Sequence, residues 1–453
     1  MKSNKLIIAW LLFSSHLLAA AYKNLHFRLQ PILKPEINIV PNYFNTTFTC
    51  SAINSGFDNK NKTKDLGELL FGKNIQLQDI YLTAKLADNG YFKLPDAPFG
   101  HEISEQFICC MAKTTMNFSC HEKVYDFSLQ YNHRFNLPKE NNFINLHFIL
   151  PVEYHERYID YKILNGKIGA TTTSVNLNPV TQFFLNYNDI DTFIEQEIFS
   201  KKNLTFDPYQ YKTALGDFIV DIYYEKLNPH RYSFQSGLSI TLPTGHKSEE
   251  KKLWEIKTTK NAIITSGYIF CAIATPMNAF NIYFNLDLAV KWANIQPMRV
   301  ATKINSKSDL GIPSIYKNFT ILPFDQYDTT ISAFADNVIC LKSNNRLEGS
   351  FAIGNIFQQA FNKDMSALLE YRILFFEKQT YSILKKYTQI KKENINLESI
   401  QSTNNSYVQN FRGALFVESQ DGHLKGYMAG TVAFAGHNYT QSNSIDFGID
   451  VFF

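Results

Sequence analysis

The chain has 453 residues, with 44 Lys and Arg against 41 Asp and Glu, for a formal charge of +3. So small an excess leaves no basic footprint for a nucleic-acid partner. Charged residues make up 19% of the chain, below the roughly 25% of ordinary soluble domains. Aromatics reach 15%, carried by 38 Phe and 25 Tyr, an enrichment that suits aromatic girdles around a membrane barrel and that an AT-rich coding sequence also produces.

In chain order, residues 1–21 come first. Lys2 and Lys5 precede the apolar run Leu6 to Phe13, and small residues follow at Ala19, Ala20 and Ala21. These are the parts of a secretory signal peptide. The apolar run falls short of the about 20 residues a membrane-spanning helix needs. Residues 22–103 hold Pro31, Pro35, Pro41, Pro95 and Pro98 and little sustained alternation. They are expected to form a periplasmic segment or a plug.

From residue 104 onward the pattern is one of strands. In Val124 to Leu137, Tyr125, Phe127, Leu129, Tyr131, His133 and Phe135 alternate with Asp126, Ser128, Gln130, Asn132, Arg134 and Asn136. Side chains of a strand alternate between its two faces, so one face is apolar and the other polar. The same signature recurs at 144–154, 232–242 and 280–292, and more weakly at 218–225, 262–272, 329–339, 347–357, 407–418 and 424–434. The clearest of these strands exceed the usual five or six residues and reach the about 9–11 that a tilted membrane crossing takes. Three stretches break the pattern, at about 165–213, 293–326 and 362–405, and are expected to be long excursions. Within the first, Ile190, Phe193, Ile194, Glu197 and Ile198 follow helical spacing.

The last nine residues, Ile445 to Phe453, return to strict alternation. Ile445, Phe447, Ile449, Val451 and Phe453 share one face; Asp446, Gly448 and Asp450 share the other. This terminal strand resembles the assembly signal of bacterial outer-membrane β-barrels, with Asp446, Gly448, Val451 and Phe453 at the matching places. The resemblance implies a bacterial outer-membrane β-barrel; with the strand pattern it gives an all-β protein, an antiparallel transmembrane β-barrel that strand counting puts at about 12 strands (about 10 to 14), with an N-terminal periplasmic or plug segment. It also implies contact with outer-membrane lipid and with the barrel assembly machinery.

A second resemblance is local. Ala214-Leu215-Gly216-Asp217 opens one strand, and Gly237 to Gly245, with Pro243 and Thr244, closes the next. The pair is similar to the G-x-G-D and G-x-S-x-P-T-G ends of a hairpin in a family of outer-membrane transporters named for the meta-cleavage pathway of phenol degradation. Ala214 stands where that family has its first glycine.

On these readings the polar face lines a lumen that passes small solutes. Its ionisable candidates are Asp126, Arg134, His147, Glu153, Asp221, Arg231, Asp287 and Lys291. Both signs occur, so no strong ion selectivity is expected. No nucleophile elbow, zinc-protease motif or phosphate loop occurs; no enzyme activity and no cofactor are expected. Glu153-Tyr154-His155-Glu156-Arg157 reads as a solvated rim. The cysteines, Cys50, Cys109, Cys110, Cys120, Cys271 and Cys340, show no metal spacing. Cys50 is a candidate to bridge to Cys109, Cys110 or Cys120. Two other functions fit the same pattern: a non-conducting surface barrel that binds a partner through its loops, and a soluble secreted β-sandwich.

Overall fold

The computed structural model describes residues 42–58, 60–71, 75–76, 115–139, 141–165, 207–228, 232–246, 258, 261–274, 280–302, 337–357, 364–384, 395–396, 405–419 and 423–452. Twelve of its strands close into one antiparallel barrel. They are β1 (Asn42–Phe57), β2 (Thr115–Asn136), β3 (Asn142–Asn165), β4 (Phe218–Asn228), β5 (Tyr232–Leu242) and β6 (Ile264–Ala274). The remainder are β7 (Phe280–Lys291), β8 (Arg346–Phe357), β9 (Met365–Phe376), β10 (Ser406–Glu418), β11 (Leu424–His437) and β12 (Tyr439–Phe452). Each pairs with its neighbour in sequence. The ring closes where β1 pairs with β12, from Tyr43↔Phe452 to Phe57↔Tyr439, and on its other edge with β2. Closure leaves no sheet edge around the ring.

The alternation seen in the sequence sorts the side chains. Phe44, Phe48, Phe127, Ile222, Leu238, Ile269, Ile282, Phe284, Phe351, Leu369, Phe411, Phe447 and Ile449 point outward and are exposed. Asn45, Asn132, Asn145, His147, Asp221, Glu225, Glu370, Arg372, Arg412 and Asp446 point inward and are buried. A soluble sheet protein would bury the first set.

Inward-facing glycines let rings lie flat against the wall. Tyr283 sits opposite Gly354 and Tyr427 opposite Gly448, while Gly237 lies between Tyr223 and Tyr268. A Cβ on Gly354 would come within 2.6 Å of the Tyr283 ring. This cross-strand covering of glycine by an aromatic ring is a device that pins register and admits curvature.

Connections are unequal at the two ends. At the end carrying Asn42 and Phe452 they span 137–141, 229–231, 275–279, 358–364 and 419–423. At the other end they span 58–114, 166–217, 243–263, 292–345 and 377–405, with Asn438 alone joining β11 to β12. Asn438 adopts a φ of 50° and Asn141, in the 137–141 turn, one of 59°, left-handed conformations that asparagine tolerates better than most residues. β2 and β3 are the longest strands, 22 and 24 residues, and their ladder continues to Thr115↔Asn165. Past the top of β4, β3 takes the strand Tyr209–Leu215 as its partner. The helix α1 (Leu66–Phe71) packs on β2, with Gly67 set directly against the Phe118 carbonyl.

Three expectations change. The first barrel strand, β1, lies inside the 22–103 segment expected to be periplasmic or a plug, so the barrel begins well before residue 104. Its outward face carries Thr46 between Phe44 and Phe48 and Cys50 after them, which blurs the alternation. β9 lies inside the 362–405 stretch expected to be an excursion. Its inward face mixes Glu370 and Arg372 with Leu368, Leu374 and Phe376, so both faces read as apolar runs. The strand expected at 329–339 is described only from Asn337, and Asn337–Ser343 joins Ile295–Thr302, Tyr381–Ile383 and Ile395–Asn396 in a separate four-stranded sheet. The eleven stretches named from the sequence thus gain two strands and lose one, which gives the twelve of the ring. The signal peptide and the 190–198 helix lie outside the described residues. Cys50 and Cys120 are both free thiols, so they do not bridge; Cys109 and Cys110 lie outside the described residues.

Candidate functional site in the barrel lumen

The inner wall is built from pairs of ions and amides rather than isolated charges. Near the short-turn end, Glu225 of β4 is the hub. Its carboxylate accepts from Arg134 Nη2 at 2.6 Å, Gln235 Nε2 at 2.9 Å and Asn145 Nδ2 at 3.3 Å. Asn132 donates to Asn145 Oδ1 at 3.1 Å and accepts from the Tyr223 hydroxyl at 3.2 Å. The Arg134 guanidinium also lies 4.7 Å over the Phe143 ring. Four strands thus meet in one network, and a carboxylate that is 0% exposed is held by three donors. Without them its burial would be prohibitive.

One step away, His147 Nδ1 faces Asp221 Oδ2 at 3.2 Å, and the Tyr43 ring lies 6.3 Å from the imidazole. Asn45 donates its amide to Asp450 across the β1–β12 seam. On the opposite wall, the Tyr283 hydroxyl bonds Glu370, Arg372 Nε is 2.9 Å from Glu370 Oε1, and Arg412 Nη2 is 3.4 Å from Asp446 Oδ2. Beneath them sits an apolar inner patch that includes Phe270, Tyr283, Leu368, Phe416 and Tyr427. A second, with Phe57, Leu374, Phe376 and Val408, packs against Tyr439 at the other end.

Where β2 and β3 rise past their neighbours, His155 has a carboxylate on each ring nitrogen: Glu122 at 3.3 Å from Nδ1 and Glu153 at 2.9 Å from Nε2. Arg157 adds a bond to Glu122 at 2.9 Å. Glu153 and His155 are buried, so this cluster is not the solvated rim expected from sequence. Period two puts both on the inner face, where each supplies the other with a hydrogen-bond partner in place of water.

The eight candidates divide accordingly. Arg134, His147, Glu153 and Asp221 enter the networks above. Asp126, Asp287 and Lys291 are half-buried on the inner faces of β2 and β7. Arg231 lies outside the described residues. Sequence reasoning missed Glu225, Asn145, Gln235, Glu370, Arg372 and Arg412. Glu225 was findable, four residues from Asp221 on one strand face; Glu370 and Arg372 were hidden by the misread of β9.

The terminal strand and the hairpin motif both find local explanations. Asp446 faces inward on Arg412, Gly448 makes room for Tyr427, and Val451 points outward; Phe453 lies outside the described residues. In the hairpin motif, Asp217 Oδ1 accepts from the Gly245 amide at 3.1 Å, and Thr244 Oγ1 donates to the Gly216 carbonyl at 2.8 Å while accepting from the Phe218 amide at 2.9 Å. A Cβ on Gly216 would meet Glu153 Oε1 at 2.6 Å. These residues clasp the end of the β4–β5 hairpin to β3. Among the described residues no group of three His, Cys, Asp or Glu side chains is placed to hold a metal ion.

No protein-family model and no curated protein matches the chain. Among solved structures it is similar to an outer-membrane channel from Pseudomonas putida F1, with 8% identity, 91% of this chain and 95% of that one covered, and a TM-score of 0.47. The β domain of the Bordetella autotransporter BrkA matches with 7% identity over 91% of this chain and 99% of that one, TM-score 0.34. The outer-membrane channel DcaP of Acinetobacter baumannii matches with 7% identity over 91% and 96%, TM-score 0.24.

Proposed function

We propose that the chain is a bacterial outer-membrane β-barrel that passes small solutes. One observation carries the reading: a closed twelve-stranded ring whose outward side chains are apolar and exposed while its inward side chains are polar and paired. Only a closed barrel satisfies every backbone group in lipid while presenting strands to it. The short turns then face the periplasm and the long connections the exterior, with the C-terminal strand offered to the barrel assembly machinery. Pairwise cancellation of lumen charges gives weak ion selectivity, and the reading assigns the chain no catalysis.

A second reading has its own support. Asn45, Asn132, Asn145, Gln235 and Glu225 are all buried, and a wide water-filled channel would expose such side chains. A barrel sealed at its periplasmic end would instead act through its exterior, where the open ends of β2 and β3 project.

The experiment is conductance in planar bilayers, on protein taken from the outer-membrane fraction that runs at a different gel position until boiled. Discrete channels support passage. A heat-shifting barrel with no conductance favours the sealed form. A soluble protein with no shift retires both.

A further inference from the structure

The outer face carries one feature that neither solute passage nor sealing uses. Gly413 of β10 and Gly430 of β11 stand directly opposite one another in their ladder, both pointing outward. The nearest atoms to a Cβ built on them are Leu369 Cδ2 at 3.8 Å and the Ser444 carbonyl at 3.9 Å, so the space above both is open. The result is a cavity of about 880 Å³ sunk into the wall. Leu369 and Ile445 form two of its sides. Its upper side is a packed set of rings: Tyr371 and Phe411 border it, 5.7 Å apart, and Phe434 backs them, stacked 4.6 Å from Phe411. The Tyr371 hydroxyl, held at 3.0 Å by Gln409 Oε1, fixes the ring that forms the ceiling.

We infer that this groove holds one acyl chain of a membrane lipid. The inference rests on the proposal that the barrel spans the outer membrane. The groove is continuous with outward side chains such as Phe351, Phe447 and Ile449, which that reading places in hydrocarbon. Glu370, Arg412, Thr431 and Ser444 contribute to its floor but are buried with the inner face. The outward side chains around it are alkyl and aromatic apart from the Asn355 amide, so no outward charge is placed to hold a head group or a charged peptide. A dent in a wall facing hydrocarbon is filled by its solvent, because unfilled contact surface forfeits dispersion energy. A flexible chain fills it without moving the protein. The volume lies in the range of pockets that enclose small ligands.

The test uses the full-length protein in vesicles of phosphatidylethanolamine and phosphatidylglycerol doped with a phospholipid that carries a diazirine midway along one chain. After irradiation, adducts are mapped by mass spectrometry. Leu369, Tyr371 and Phe411 should label several-fold more than Ile222 and Leu238, which are equally outward on the far wall. Filling the groove with Gly413→Leu and Gly430→Leu should abolish that excess. The contacts above are ordinary van der Waals distances, so the filled variant should still fold and shift on heating. Uniform labelling of both walls overturns the inference, as does an excess that survives the filled variant. Loss of labelling in wild-type protein that cross-links as an oligomer also overturns it, and gives the groove to a second copy. Protein that shows no heat shift in any form fails at the barrel reading, before the groove is in question.

Discussion

At the scale of single residues, the chain's polar chemistry is organised by pairing. Glu225 is the sharpest case. Its replacement by Ala leaves the largely covered Arg134 guanidinium with the Asn145 Oδ1 acceptor at 3.3 Å but without its carboxylate, a loss of up to about 3–5 kcal/mol for a broken buried pair. The temperature at which the folded gel band disappears should fall clearly, and Arg134→Ala combined with Glu225→Ala should recover part of the loss. Gly448 is a packing case. Val there would run into the Tyr427 ring, an overpacking penalty of about 1–3 kcal/mol, read in the same assay. Asp58 is a titration case beyond the end of β1. Its Oδ1 accepts from the amides of Lys62 at 2.9 Å and Lys60 at 2.7 Å. The Lys62 amide foremost, then the Lys60 amide and the Lys64 charge, hold its carboxyl below the usual range. A depressed carboxylate stabilises the fold above its unfolded pKa and loses that contribution as pH falls through the folded value. Amide protection at Lys60 and Lys62, corrected for intrinsic exchange, should therefore drop in acid, and Asp58→Asn should remove most of the pH dependence.

At the scale of elements, β12 separates the two faces. Ile449 is exposed on the outer face, so Ile449→Arg should lower folded yield in vesicles, by up to the about 2–4 kcal/mol that such a charge costs at the bilayer midplane. Sequence alone makes Asp450→Arg the mild control. The structure makes it a poor one, because Asp450 accepts the Asn45 amide at the closing seam and faces the charge of Lys425. Legibility followed the contrast between faces. β5, β7 and β12 were readable because one face is almost wholly apolar and the other polar. β9 was not, since Leu374 and Phe376 point into the lumen and pack in an interior cluster. β1 was not, because proline-rich flanking sequence and outward Thr46 hid its period. Of the site, His147 and Asp221 were legible as charges on a polar face. Their partners were not, because pairing runs between strands tens of residues apart and one sequence carries no register.

At the scale of the molecule, the two readings of the interior differ in one measurable quantity. If the Glu225 network is the narrowest part of an open passage, Arg134→Ala with Glu225→Ala should raise single-channel conductance while the heat-shifted band persists. Silence in both wild type and variant would assign the barrel to its exterior surfaces.

The seam between β1 and β12 also bears on how the molecule is made. Asn45 finds its partner at Asp450, almost the whole length of the chain away. Ring closure is therefore the most non-local pairing among the described residues, and folding slows as contacting residues lie further apart in sequence. Until β12 exists, a growing chain is a curved ribbon with two bare edges, each able to recruit a foreign strand. A product that lacks β12 keeps the β1 and β11 edges unpaired and cannot close this ring.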